Sequence, residues 1–166
     1  MEGNVIDNAM NMLGDMYPPL KYYGLYTADE LIEIVDPKPG LYIVYSLNSW
    51  ETFTTRIGHW TSCHLIKTYN GDMKFEYYDP LAIQPYVLNE NIDKFIARNF
   101  TLYTHCKYPV QSSESVACGY FVLSYCYLST VKHLSLEEIM TYFSRYDYQA
   151  NENFVRRLCY QIFYLL

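Results

Sequence analysis

The chain has 166 residues, of which 51% are apolar and 18% aromatic, with 20 tyrosines. That is long enough for one domain with a sizeable core and too apolar for a disordered chain. A formal charge of −6 and a pI near 5.1 argue against the phosphate backbone of nucleic acid as the main partner. No apolar run approaches the roughly 18 residues of a membrane span, which argues against a membrane partner.

In chain order, Asn8 to Met16 predicts a weakly patterned helix that ends before Pro18-Pro19. Thr27 with Glu30 has the spacing of a capping box, and opens a short helix that carries Leu31, Ile32 and Val35 inward and stops before Pro37. Pro39-Gly40 is a turn, and the wholly apolar run Leu41 to Leu47 reads as a buried strand. The polar stretch from Ser49 to Gly58 reads as a loop. Trp60 to Tyr69 and Lys74 to Tyr78 pair as a hairpin about Asn70-Gly71, a strong turn dipeptide, and Asp79-Pro80 ends the return strand.

Asn91 to Phe100 predicts a helix with Ile92, Phe95, Ile96 and Phe100 on one face, and Thr101 to Tyr108 a strand. Val110 to Ser115 is a loop with Ser115 as the expected cap of the next helix. That helix, Cys118 to Leu128, is apolar nearly all round and is expected to be buried on most sides. A second capping box, Ser135 with Glu138, precedes Ile139, Met140 and Phe143. The last helix is expected from near Asn151, with Phe154, Val155, Leu158, Cys159, Ile162 and Phe163 inward and Arg156 and Arg157 outward. The whole predicts a single α+β domain over residues 1–166, with a small mixed sheet packed between helices around a central buried helix.

The five cysteines, Cys63, Cys106, Cys118, Cys126 and Cys159, are odd in number and none are at CxxC spacing. No basic and apolar leader opens the chain, so free thiols in a reducing compartment are expected. Cys118 stands apart because it opens a helix, where unpaired N–H groups and the helix dipole favour a thiolate. Gly119 beside it leaves room for a substrate backbone. The Cys118 N–H and the side-chain amide of Gln111, seven residues earlier, are candidate oxyanion donors.

His59 lies between loop and strand, so one side of its ring stays reachable as a base. Asp79 falls near the same open end of the hairpin, with the offset between them ascribed to a bulge or splay, and a carboxylate there holds an imidazole in one tautomer. Glu76 is the next acid in line for that role. Each residue alone has a plainer reading: a cysteine or histidine in a core, an aspartate in a turn. A zinc site from Cys63, His64, His105 and Cys106 is opposed by strand alternation, which sends neighbours to opposite faces. His133 reads as a surface residue between helices.

Taken together, Gly58-His59-Trp60, Tyr78-Asp79-Pro80, Val110-Gln111 and Ser115 to Phe121 resemble the motifs of the adenovirus maturation protease (adenain) family and, more distantly, the SUMO-protein proteases. The stretch Leu41 to Gly58 leading into the histidine, and Leu13-Gly14 before Tyr22-Tyr23-Gly24, also fit. The resemblance spans nearly the whole chain and is specific from Gly58 to Tyr125. It implies a papain-like, adenain-like cysteine protease fold and a thiol endopeptidase. Cys118 would be the nucleophile, His59 the base, Asp79 its orienting acid, and Gln111 with the Cys118 N–H the oxyanion hole. Gly58, Trp60 and Gly119 would line a narrow cleft that takes small residues such as glycine before the cut.

The resemblance implies no cofactor for the chemistry and a polypeptide substrate, namely viral capsid or core precursors, cleaved in the virion and in the host nucleus or cytoplasm. It also raises a peptide or nucleic-acid activator. The chain is shorter than adenain and acidic where adenain is basic, which counts against DNA in that role; nor is the family's disulfide-linked peptide carried over to Cys106. The alternatives are an isopeptidase acting on SUMO or ubiquitin-like modifiers, an effector-type acetyltransferase, and a scaffold without activity.

Overall fold

A computed structural model describes residues 1–47 and 58–165. The loop expected from Ser49 onward, and the corresponding part of the stretch leading into the histidine motif, lie outside the described residues; Gly58 itself opens a strand.

The chain opens with α1 (Gly3–Met16), which starts well before the expected Asn8 because the Glu2 carbonyl accepts from Val5 and Ile6. Ile6, Met10 and Leu13 give it a buried stripe. Strand β1 (Tyr22–Thr27) follows and was not legible in the sequence. Its alternation is broken by Gly24, whose φ of +118° only glycine adopts easily, and its pairing slips between Tyr22 and Leu25. The Thr27–Glu30 capping box is present at the start of α2 (Ala28–Ile32). That helix stops a turn earlier than expected: Asp36 takes a positive φ ahead of Pro37, and Val35 is turned out to solvent at 81% exposure.

Strands β2 (Gly40–Leu47), β3 (Gly58–Lys67) and β4 (Met73–Tyr78) form the middle of a five-stranded sheet of order β1-β2-β3-β4-β5. The β2/β3 and β3/β4 pairs are antiparallel and the two outer pairs parallel. Asn70-Gly71 sits in the hairpin loop between β3 and β4, with Gly71 at φ +89°. Helices α3 (Pro85–Leu88) and α4 (Glu90–Asn99) lead to β5, which is only Thr104–His105. The longer strand expected there is cut short because the chain leaves the sheet edge to bring the Val110 and Gln111 amides onto the Pro80 carbonyl, at 2.9 and 3.1 Å.

Next come α5 (Cys118–Thr130), α6 (Leu136–Met140), with its Ser135–Glu138 capping box, and α7 (Tyr148–Phe163). Helix α7 starts three residues before the expected Asn151, because the Asp147 carboxylate caps the Ala150 amide at 2.9 Å. Val155, Cys159 and Phe163 of its apolar set are fully buried; Phe154, Leu158 and Ile162 are half-buried.

The layers explain the apolar run of β2. Leu41 and Ile43 face one core with α1, α5, α6 and α7, whereas Tyr42 and Val44 face a second core with α2 and α4. Ten of the 13 residues of α5 are buried, so it is the central helix. Among the described residues no helix is long and apolar enough to cross a membrane.

Where α5 meets the sheet, His64 Nδ1 and Ser129 Oγ hydrogen bond at 2.7 Å. Burial, only partly opposed by the charge of Glu76, pushes the His64 pKa down to about 4 from 6.5. The folded state therefore refuses a proton that the unfolded chain accepts below pH 6.5, so stability is lost as pH falls from 6.5 toward 4, by at most about 3 kcal/mol. Denaturant titrations at pH 7 and pH 4.5 are expected to show this loss in the wild type and a flatter profile in His64→Gln. An unchanged slope in the variant would assign the loss to other groups.

Candidate active site

His59 is the second residue of β3 and Asp79 the first after β4. The β3/β4 register is regular from Lys67↔Met73 to Ser62↔Tyr78. Carried one pair further, it sets Asp79 opposite Thr61, two residues from His59, so the two are diagonal neighbours and no bulge is required. His59 Nε2–H donates to Asp79 Oδ1 at 2.7 Å, and both residues are buried. The Leu81 amide donates to the same oxygen at 2.8 Å, fixing the carboxylate. The buried Cys106 sulfur lies against the backbone of Asp79, so Cys106 packs behind the acid motif from inside the core.

Nε2 is committed to Asp79, and the Cys118 sulfur lies close enough to the same imidazole for the two groups to shift each other's titration. Burial by itself would lower the His59 pKa. The charge and hydrogen bond of Asp79, with the nearby Cys118 sulfur, outweigh it and raise the imidazole to about 10. Burial would likewise raise the Cys118 thiol, but the His59 hydrogen bond and charge prevail and hold it below the usual thiol value. The other four thiols are free and buried, and burial pushes every one of them up. Of five cysteines, Cys118 alone is tuned toward thiolate.

Cys118 is the first residue of α5. Ser115 is not the helix cap: the cap position is Ala117, with no side-chain cap bond. Ser115 Oγ instead accepts from the Ala117 amide at 3.1 Å, so it shapes the turn just before the helix. Gln111 is buried, and its Nε2 donates to the Ser115 carbonyl at 2.9 Å. An amide nitrogen carries two hydrogens, so one remains for a ligand.

Gly58, His59, Trp60, Gln111 and Cys118 line one cavity of about 350 Å³, with Asp79 behind His59. Tyr45, Leu81, Ser113 and Glu114 complete its wall together with Ser115 and Val116 of the nucleophile motif. Tyr45 packs on Trp60 with ring centroids 4.8 Å apart, and a Cβ on Gly58 would run into the Tyr45 ring. The chain's own first residue sits in this cavity: Trp60 Nε1 donates to the Met1 carbonyl at 3.0 Å, and a Cβ on Gly119 would lie 2.8 Å from Met1 Cβ. A chain laid between Trp60 and Gly119 has to displace Met1.

Glu76 does not stand in for Asp79. It pairs across the sheet with His64 and accepts from Tyr125 and the Leu136 amide. Nor do Cys63, His64, His105 and Cys106 gather: among the described residues no group of three or more His, Cys, Asp or Glu is placed to hold a metal. His133 shares an exposed hydrogen bond with Tyr17 at 3.1 Å. A second cavity, of about 480 Å³ beside His64 and Lys74, contains none of the four predicted site residues.

No protein-family model and no curated protein sequence matches this chain. Solved structures do. ChlaDub1 from Chlamydia trachomatis aligns with a TM-score of 0.57 at 13% identity, over 98% of this chain and 92% of that one. The Chlamydia trachomatis effector protein Cdu1 bound to ubiquitin aligns with a TM-score of 0.53 at 13% identity, over 100% and 95%. HopZ1a in complex with IP6 aligns with a TM-score of 0.54 at 11% identity, over 79% of this chain and 45% of HopZ1a. At these identities the likeness is one of fold, and the fold is the α+β cysteine-protease fold expected from the motifs.

Proposed function

We propose that the protein is a cysteine peptidase whose nucleophile is Cys118. The observation that carries this reading is the buried Asp79–His59 hydrogen bond with Cys118 beside the imidazole, in the cavity that also holds Gln111. The sulfur attacks the scissile carbonyl. The oxygen, now negative, is held by the free Gln111 N–H and the Cys118 backbone N–H. His59 gives its proton to the departing amine, leaving a thioester on Cys118. It then takes a proton from the water that hydrolyses the thioester. Thiol, imidazole and amide donors supply every group this reaction requires.

The substrate is a polypeptide with small residues before the cut, a preference that rests on the sequence motifs; Trp60 and Tyr45, packed on each other, line the cavity that would receive it. Cleavage of viral capsid or core precursors rests on the sequence motifs alone. Isopeptidase action on a ubiquitin-type modifier has an added support, since the chain is similar in fold, over 95% of that protein's length, to an effector solved bound to ubiquitin. Acetyl transfer has only a shared fold in its favour.

The test sets ubiquitin and SUMO carrying C-terminal aminocoumarin amides against short small-residue peptides of the same leaving group. Release from any of them that is absent in Cys118→Ala supports the peptidase, and the preferred substrate separates the readings. Absence of Cys118-dependent release from all of them would overturn the assignment.

A further inference from the structure

This inference rests on the peptidase reading and concerns what holds its oxyanion hole. The loop from Val110 to Ala117 carries Gln111 and delivers Cys118, yet it has no regular structure of its own. Two consecutive residues of α7 grip it. Asn151, 2% exposed, donates to the Val110 carbonyl at 2.9 Å and to the Ser144 carbonyl at 2.7 Å. Glu152 Oε2 accepts from Ser115 Oγ at 2.7 Å. Its other oxygen, Oε1, is held by Arg156 at 2.9 Å, and the Arg156 guanidinium lies over the Tyr120 ring, 4.4 Å from the centroid, in the first turn of α5.

Ser115 is the pivot. Its carbonyl accepts from Gln111 Nε2, and its hydroxyl both receives the Ala117 amide and donates to Glu152. We infer that Glu152 is a positioning residue: through Ser115 it fixes the Gln111 amide and the turn before Cys118, so that both oxyanion donors point at one place.

A carboxylate serves this role better than a neutral acceptor because its bond from Ser115 is charge-assisted and Arg156 orients it from the far side. Among the described residues the Gln111 amide has no second anchor: its Oε1 is buried without a hydrogen-bond partner there, and the Ser115 carbonyl sets its rotation. A loosened Ser115 lets the amide turn away from the developing charge.

Alkylation and acylation of the same sulfur separate this from a general loosening. Iodoacetamide is attacked at saturated carbon, the sulfur displaces iodide, and no oxyanion forms. Peptide hydrolysis needs the hole, and so does a peptide aldehyde, which adds the thiolate at its carbonyl carbon to give a hemithioacetal oxygen.

In Glu152→Ala, kcat of the best aminocoumarin substrate is expected to fall about tenfold or more with KM nearly unchanged, and aldehyde affinity to fall by a similar factor. The alkylation rate and its pH dependence should stay at the wild-type values. Glu152→Gln, which keeps the acceptor and loses the charge, should lie between. If alkylation and hydrolysis fall together, or if both variants hydrolyse at the wild-type rate, Glu152 does not position the hole. A wild type that hydrolyses nothing overturns the peptidase reading itself, and this inference with it.

Discussion

Cys118→Ala and His59→Ala are each expected to abolish hydrolysis, a loss of at least about a thousandfold, while circular dichroism shows the fold retained. The melting temperature should stay near wild type in Cys118→Ala and fall in His59→Ala, which leaves the buried Asp79 carboxylate without its imidazole. Cys118 is buried at the start of α5 and lines the cavity on one side, so exchanging its sulfur for hydrogen removes a single atom from the edge of the core. The pH dependence follows from the directions of the two shifts. The Cys118 thiol is lowered and the His59 imidazole raised to about 10, so between those values sulfur is negative and the ring positive. Iodoacetamide should therefore alkylate Cys118 at a rate that persists below pH 7, and in His59→Ala the rate should rise only near the free-thiol pKa of about 8.5. Mass spectrometry after a short pulse locates the label. A wild-type profile that already rises only near pH 8.5 would contradict the pair.

In the same series Asp79→Asn should keep partial activity, with a loss of about tenfold to a hundredfold. That is less than the roughly 10⁴-fold of a serine triad, because here the nucleophile is ionised before attack. The alkaline limb of its activity should move down from about 10, because the carboxylate that raises His59 is gone.

Glu76→Ala is the substitution expected to cost most in stability. Glu76 is wholly buried. Oε1 accepts from Tyr125 at 2.7 Å, Oε2 accepts from the Leu136 amide at 3.0 Å, and Lys74 lies 3.2 Å from Oε2. The Lys74 side chain is 37% exposed, so that pair contributes little by itself. The weight lies with the Tyr125 hydroxyl and the Leu136 amide, which join α5 and the start of α6 to the sheet. Alanine would strand both donors inside the protein and leave a space beside the hydroxyl of Tyr125, whose ring stacks on Tyr78. A loss of about 3–5 kcal/mol is expected, read as a fall in melting temperature of roughly 10 °C. A loss under about 1 kcal/mol would mean that water reaches these groups. Glu76→Gln keeps an acceptor and should lose less than half as much.

These two sets of residues show how differently the sequence speaks about a site and about its support. The motifs named His59, Asp79, Gln111 and Cys118 because each has a chemical type and a local setting that the chemistry needs. The structure places all four about one cavity. Glu76 and Glu152 have no such setting. In sequence Glu76 is an acid in a strand and a stand-in for Asp79, and only the register opposite His64 shows that it points into a different part of the molecule. Glu152 is a polar residue early in a helix, and its partner Ser115 is 37 positions away.

The same division holds for the fold. Local chemistry determined the two capping boxes, the apolar β2, the hairpin about Asn70-Gly71 and the buried α5, because a cap, a turn and an apolar period act within a few residues of chain. Tertiary contact decided the rest. It made a strand of Tyr22–Thr27 beside β2 in spite of Gly24, and shortened β5 to two residues so that Val110 and Gln111 could reach Pro80. It turned Ser115 from a helix cap into the link between Gln111 and α7. Each of those outcomes depends on a partner distant in sequence, and an energy that exists only once two remote segments meet leaves no mark on the residues around either one.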